Sequence, residues 1–137
     1  MKLHAQAAAD VNAVTAYGAG YVEINRVRHC GPLILAAQGP VRTWALAAGA
    51  TVPSLQPNDF EILLALRPEV VLIGTGARQQ FLAPRLAAWL AGAGMGHEAM
   101  DTAAACRTFN ILVAEGRRVV GAFLPPDPIS PNGAANE

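Results

Sequence analysis

The stretch that decides the fold is Val70-Val71-Leu72-Ile73-Gly74-Thr75-Gly76, in which four consecutive apolar residues precede a glycine-containing turn. An unbroken run of β-branched and aliphatic side chains is typical of a strand that is covered on both faces. Such strands occur in sheets that carry helices on both sides. The stretch therefore predicts an α/β domain built around a buried sheet.

Downstream of this strand, helix and strand signals alternate. The predicted elements are a helix that starts near Pro84 and ends at Gly92, a strand over residues 97–100, a helix capped by Asp101 or Thr102 that ends at residues 115–116, and a strand over residues 119–124. Proline favours the first helical turn, aspartate and threonine favour the N-cap, and glycine favours the C-terminal end. The alternation predicts a mostly parallel sheet with right-handed crossovers.

Upstream, the first third of the chain is predicted to consist of strands. Residues 11–17 and 21–27 are rich in β-branched and aromatic residues, and Gly18-Ala19-Gly20 between them favours a hairpin. The sequence His29-Cys30-Gly31-Pro32 is predicted to break the chain. Further strands are predicted over residues 33–37 and 41–46.

A helix is predicted between these strands and the buried strand. Asn58 or Asp59 would cap it, and it would run through residue 66 because Pro68 follows. Its apolar residues at i, i+3 and i+4 spacing, which predict one buried face, are Phe60, Leu63 and Leu64.

Composition restricts the class of protein. The chain has 137 residues, of which 53% are hydrophobic and 15% are charged, and its formal net charge is zero. This length predicts a single domain over residues 1–124, and the Pro-, Asn- and Gly-rich residues 125–137 predict a flexible tail. Zero net charge argues against binding to nucleic acid. Neither a signal peptide nor a transmembrane segment is predicted, so we expect a cytoplasmic location with reduced cysteines.

The best candidate site lies where two loops leave neighbouring strands. Residues 74–79 follow one strand, Asp101 and Thr102 follow another, and ligands of open α/β sheets bind beyond the carboxyl ends of strands. Both loops lead into helices, whose N-termini favour an anion. The side chains that could add charge or hydrogen bonds are Arg78, Arg107, Thr75, Gln79, Thr102 and Asn110. The competing interpretation is structural: glycines that permit a turn, and Asp101 as an N-cap.

Other chemical motifs are incomplete. Gly74-Thr75-Gly76 is followed by Gln79 where a dinucleotide fingerprint needs a third glycine. The spacing of Cys106 with Phe109 and Val113 is i, i+3, i+7, which favours a buried core cysteine over a catalytic nucleophile. The three histidines lack metal-ligand spacing, and the carboxylates are scattered. No catalytic residue, metal or cofactor is predicted.

Three segments resemble the signatures of one family. They are residues 71–82 (Val-Leu-Ile-Gly-Thr-Gly-Ala-Arg-Gln-Gln-Phe-Leu), residues 100–112 (Met-Asp-Thr-Ala-Ala-Ala-Cys-Arg-Thr-Phe-Asn-Ile-Leu) and residues 115–119 (Glu-Gly-Arg-Arg-Val). Trp44 also fits the pattern, whereas Phe109 stands where tyrosine is common. The family consists of small α/β domains of uncharacterised function. It includes the mitochondrial respiratory complex I assembly factor and the adipogenesis-associated proteins of animals.

The resemblance implies a three-layer α/β domain with a mixed central sheet, helices on both faces and antiparallel N-terminal strands. It implies no enzyme activity, cofactor or metal, and it suggests protein partners by analogy with the assembly of a membrane complex. The signature positions that form the candidate pocket are Gly74, Thr75, Gly76, Arg78, Gln79, Asp101, Thr102, Cys106, Arg107 and Asn110. Two alternatives to an accessory protein remain open: a protein that binds a small anion at this pocket, and a cysteine-dependent enzyme.

Overall fold

A computed structural model of the chain describes residues 11–126. Its strands are β1 (Val14–Gly18), β2 (Tyr21–Ile24), β3 (Val27–Cys30), β4 (Leu33–Ala36), β5 (Arg42–Thr43), β6 (Val70–Thr75), β7 (Gly96–Met100) and β8 (Val119–Leu124). Its α-helices are α1 (Pro84–Gly92) and α2 (Thr102–Ala114), and Val52–Ser54 and Pro57–Leu66 are 3₁₀ segments. His4 and residues 127–137 of the predicted tail lie outside the described part of the chain.

The central sheet has five strands in the order β5-β4-β8-β6-β7. β6 pairs in parallel with both β7 and β8, whereas β4 pairs antiparallel with β5 and β8. The mixed sheet implied by the family resemblance is confirmed. The parallel pairing predicted from the alternation is confirmed for β6, β7 and β8, but the sheet as a whole is not mostly parallel, because β8 also pairs antiparallel with β4 from the strand-rich first third of the chain.

The N-terminal strands form a second sheet, which is antiparallel with the order β1-β2-β3. The predicted hairpin at residues 18–20 is confirmed. The predicted strand over residues 21–27 divides at Asn25 and Arg26, whose φ angles of 51° and 70° make the tight turn that a two-residue hairpin requires. His29 and Cys30 therefore end strand β3, and the predicted break there is wrong by two residues.

Helices cover both faces of the central sheet, as implied by the resemblance. On one face, α1 and the 3₁₀ segments supply Phe60, Leu86 and Leu90 to a core that includes Ile73 of β6. On the other face, α2 packs against β6, β8 and β1, and its Phe109 joins Leu72 of β6 in a second core. Neighbouring residues of β6 thus serve opposite cores, as the alternation of side chains along a strand requires.

The helix predicted over residues 58–66 is a 3₁₀ segment that starts at Pro57, with Gln56 at the N-cap. The Asp59 carboxylate accepts a hydrogen bond from the Gln56 amide at 2.8 Å, so Asp59 stabilises this end without being the cap. Three residues per turn place Phe60 and Leu63 on one buried face, and Leu64 is 46% exposed. The prediction that all three share a face is therefore wrong at Leu64.

The strand predicted over residues 41–46 is reduced to the two residues of β5.

Pro125 and Pro126, which the sequence assigns to the tail, are among the described residues. Pro126 is buried, and its carbonyl oxygen accepts a hydrogen bond from the Gly20 amide at 2.8 Å. Among residues 11–126, no helix combines the length and apolarity that a bilayer-crossing segment needs.

Candidate functional site

The two predicted loops meet at one rim of the central sheet. β6 and β7 are parallel neighbours, with Gly74 opposite Met100. The Thr102 amide donates a hydrogen bond to the Gly76 carbonyl at 2.9 Å, so the segments that follow the two strands are joined directly. Gly74 and Thr75 belong to β6 itself rather than to the loop in which the sequence placed them.

The space between these two segments is filled by Thr102, which is fully buried. Its hydroxyl accepts a hydrogen bond from the Gly76 amide at 2.8 Å and donates one to the Leu124 carbonyl at 2.6 Å. A Cβ atom on Gly74 would lie 2.8 Å from this hydroxyl oxygen and 3.3 Å from the Thr102 Cα. Gly74 is thus required for close packing, and no cleft opens between the two segments.

The N-terminus of α2 is occupied by its own cap. The Asp101 side chain accepts a hydrogen bond from the Ala104 amide at 2.9 Å. The structural interpretation of Asp101 is confirmed. A carboxylate of the chain therefore lies where the sequence analysis placed a ligand anion.

Two further candidate residues, Arg107 and Asn110, join α2 to the N-terminal sheet. The Asn110 amide group both accepts from the Val14 amide and donates to the Val14 carbonyl, each at 2.9 Å. Arg107 donates to the Tyr17 hydroxyl at 2.8 Å. The Asn110 contacts satisfy the backbone amide and carbonyl of Val14, and the Arg107 contact reaches a side chain of β1, so both residues link α2 to this strand.

Cys106 lies in the second core and is 1% exposed, which confirms the core cysteine. Burial raises the pKa of its thiol to about 12, although the neighbouring Arg107 acts in the opposite direction. The nucleophilic form of cysteine is the thiolate, and this thiol is neutral at physiological pH. Among the described residues, no three histidine, cysteine or carboxylate side chains are grouped to hold a metal ion.

We expect one cysteine of the native chain to react quickly with a thiol reagent. Cys30 is exposed, whereas Cys106 is buried with a raised pKa, so Cys106 should react only after unfolding. Titration with a chromogenic disulfide at pH 8 measures this, with and without denaturant. In the Cys30→Ser variant the native protein should show no fast thiol. Fast labelling of that variant would refute the assignment of Cys106 to the core.

An open cavity of about 710 Å³ lies beside this rim, between residues 43–52 and the end of β6. Three of the predicted pocket residues line it, namely Thr75, Gly76 and Arg78. The others are not part of its lining: Gly74, Gln79, Asp101, Thr102, Cys106, Arg107 and Asn110. Gln79 instead donates from its side-chain amide to the Ala99 carbonyl at 3.2 Å.

The walls of the cavity come mainly from a segment that the sequence analysis missed. Residues 45–50 read Ala-Leu-Ala-Ala-Gly-Ala, so no charged or polar side chain projects from them. Trp44 before them is buried; its indole N–H donates to the Asp59 carbonyl at 2.8 Å, and its ring packs edge-on against Phe60 at 5.4 Å. The small residues leave the space open, while Trp44 fixes the start of the segment.

Comparison with known proteins places this geometry in a family. Residues 14–124 match the family model described as a protein of unknown function, DUF498/DUF598. The chain belongs to the DUF498/DUF598 family. The match covers nearly all described residues, from the start of β1 to the end of β8. The family suggested by the three sequence signatures is thereby confirmed.

Solved structures and curated relatives agree with this assignment. A crystal structure of a protein from Bordetella parapertussis is similar to this chain, with 47% identity, a TM-score of 0.74, and coverage of 84% of this chain and 96% of that chain. A solution structure from Bordetella pertussis, described as a Mth938-like domain, has 41% identity, a TM-score of 0.70 and 90% coverage of each chain.

A relative from Bos taurus is named NADH dehydrogenase [ubiquinone] 1 alpha subcomplex assembly factor 3. It is 34% identical over 118 residues, which are 85% of this chain and 59% of the bovine protein. The chain therefore spans about three fifths of the length of this relative.

Proposed function

We propose that this domain is an accessory protein of the assembly type, which acts by binding other proteins and not by catalysing a reaction. The observation that carries the proposal is the 34% identity with the bovine assembly factor over 85% of this chain. Because the similarity extends along most of the chain, the α/β domain itself is the part to which we assign the role. The partner would be a subunit of a membrane respiratory complex, by analogy with the name of that relative.

Phe81 supports a protein-binding role. It lies between β6 and α1 and is 83% exposed, the largest exposed fraction among the large hydrophobic residues of the described chain. Aromatic residues often dominate the binding energy of protein interfaces. We assign Phe81 as the anchor that enters an apolar pocket of the partner protein.

The two alternative functions have less support from the geometry. Thr102 fills the space between the two segments and Asp101 caps α2, so a small anion has no room at that point. Burial raises the pKa of the Cys106 thiol, which works against a cysteine-dependent reaction. The accessory role requires neither an open cleft at this rim nor a reactive thiol.

The Phe81→Ser variant tests the proposal in a cell. Deletion of the gene should lower the amount of assembled respiratory NADH dehydrogenase on native gels, and the wild-type gene should restore it. Phe81→Ser should restore little, because loss of an aromatic anchor costs about 2–4 kcal/mol of binding, or roughly 30-fold to 1,000-fold in affinity.

Ile111→Ser is the matched control, because Ile111 is also an exposed hydrophobic residue, with 57% of its surface exposed. It lies on α2, which covers the face of the central sheet opposite to the one that α1 covers. It should restore the complex as well as the wild type, and both variants should melt at the wild-type temperature. The proposal is wrong if deletion leaves the amount of complex unchanged. Full restoration by Phe81→Ser would remove Phe81 from the interface.

A further inference from the structure

We propose that the cavity beside residues 43–52 binds a small amphiphile, namely an apolar chain that carries one anionic head group. This site is separate from the Phe81 contact and does not depend on the accessory role. The argument rests on the size of the cavity, the chemistry of its walls and the charge at its edge.

The cavity has the size of a small-molecule site. Its volume of about 710 Å³ falls within the range of about 300–1,000 Å³ that is typical of ligand pockets. Its walls include Trp44, Val52 and Leu124 together with the apolar segment 45–50. Apolar walls with few polar groups are typical of sites that bind the hydrophobic body of a ligand.

Three polar groups at the walls have partners within the chain. The Trp44 indole N–H donates to Asp59, the Gly76 amide donates to Thr102, and the Thr75 hydroxyl donates to the carbonyl of Arg78. Residues 45–50, which form much of the wall, offer no polar side chain to a ligand, so polar groups placed against them would lose their hydrogen bonds to water without replacement. This part of the wall therefore favours a ligand with an apolar body.

One charge lies at the edge of the cavity. Arg78 alone is charged among the described residues that line it, and its side chain is exposed to water. Over residues 11–126, the only ion pair joins Arg117 to Glu69, so Arg78 has no acidic partner in that part of the chain. A guanidinium group pairs well with a carboxylate, often through two hydrogen bonds. Charge complementarity therefore selects a ligand with an anionic head and an apolar chain.

The experiment uses Trp44 as a reporter in the full chain. Trp89, on α1, is replaced by phenylalanine so that Trp44 is the only tryptophan. This protein is titrated with decanoate below its micelle concentration, and with decanol as the uncharged counterpart. Decanoate should change the Trp44 emission in a saturable way, and Ala50→Phe, which places a ring in the cavity, should abolish the change.

Arg78→Gln should weaken decanoate binding at least about tenfold and leave decanol binding unchanged, because it removes a charge-assisted hydrogen bond. Arg85→Gln is the matched control, since Arg85 is an exposed arginine of α1 outside the cavity lining. Equal weakening by both variants would overturn the proposal, because it would indicate general attraction to positive charge. The absence of saturable binding to the full chain would also overturn it, whether the cavity is then filled by water, by residues 1–10 or 127–137, or by a segment of a partner.

Discussion

Replacing Thr102 with valine should lower the free energy of unfolding by about 2–6 kcal/mol. The two side chains have nearly the same shape, so packing is retained while the hydroxyl is lost. That hydroxyl is the partner of the Gly76 amide and of the Leu124 carbonyl, and Thr102 is fully buried. Two buried backbone groups would be left without a partner, and each costs about 1–3 kcal/mol.

Denaturation in urea, followed by circular dichroism, measures this loss. Thr102→Ser is the control, because serine keeps the hydroxyl and removes one methyl group, which should cost about 1 kcal/mol. If valine proves no worse than serine, the hydroxyl does not hold the two segments together. Packing alone would then account for the close approach of the two segments.

Replacing Phe60 with alanine should cost about 3–5 kcal/mol, as is usual when a fully buried phenylalanine is truncated. Phe60 also packs edge-on against Trp44, which lines the cavity, so the truncation would remove a contact that holds the Trp44 ring in place. In the Trp89→Phe background, where Trp44 is the only tryptophan, we therefore expect a red shift of its emission in the native state, together with a lower urea midpoint.

Phe81→Ala removes the same atoms from an exposed position and should change stability by less than about 0.5 kcal/mol. Phe60→Leu should fall between the two alanine variants, because it leaves a smaller cavity. A loss at Phe60 as small as that at Phe81 would contradict the packing described for the first core.

The elements predicted correctly are those whose signals are local. Pro84 at the start of α1, Asp101 at the cap of α2 and the apolar run of β6 all act within a few residues. The turn at Asn25 and Arg26 was missed because it contains no glycine, although both residues adopt positive φ. The insertion of β8 between β4 and β6 depends on pairs that lie 84 residues (Ala36 with Val120) to 90 residues (Leu33 with Phe123) apart in the chain, which no local pattern encodes.

For the site, the sequence predicted the meeting of two segments at one rim but not the distance between them. Whether a cleft opens at that rim depends on the distance between Gly74 and Thr102, which are so close that a single added Cβ atom would not fit between them. The cavity was missed because residues 45–50 match no catalytic or binding motif. An available signal was Trp44 followed by six residues without a polar side chain.

The central position of β8 has a consequence during synthesis. β8 is the last strand of the described chain, yet it separates β4 from β6. Until residue 124 has left the ribosome, β4 and β6 each have one edge without the partner strand that β8 provides. The backbone groups along these two edges therefore stay unpaired. The nascent chain must therefore reach the end of β8 before its central sheet can form.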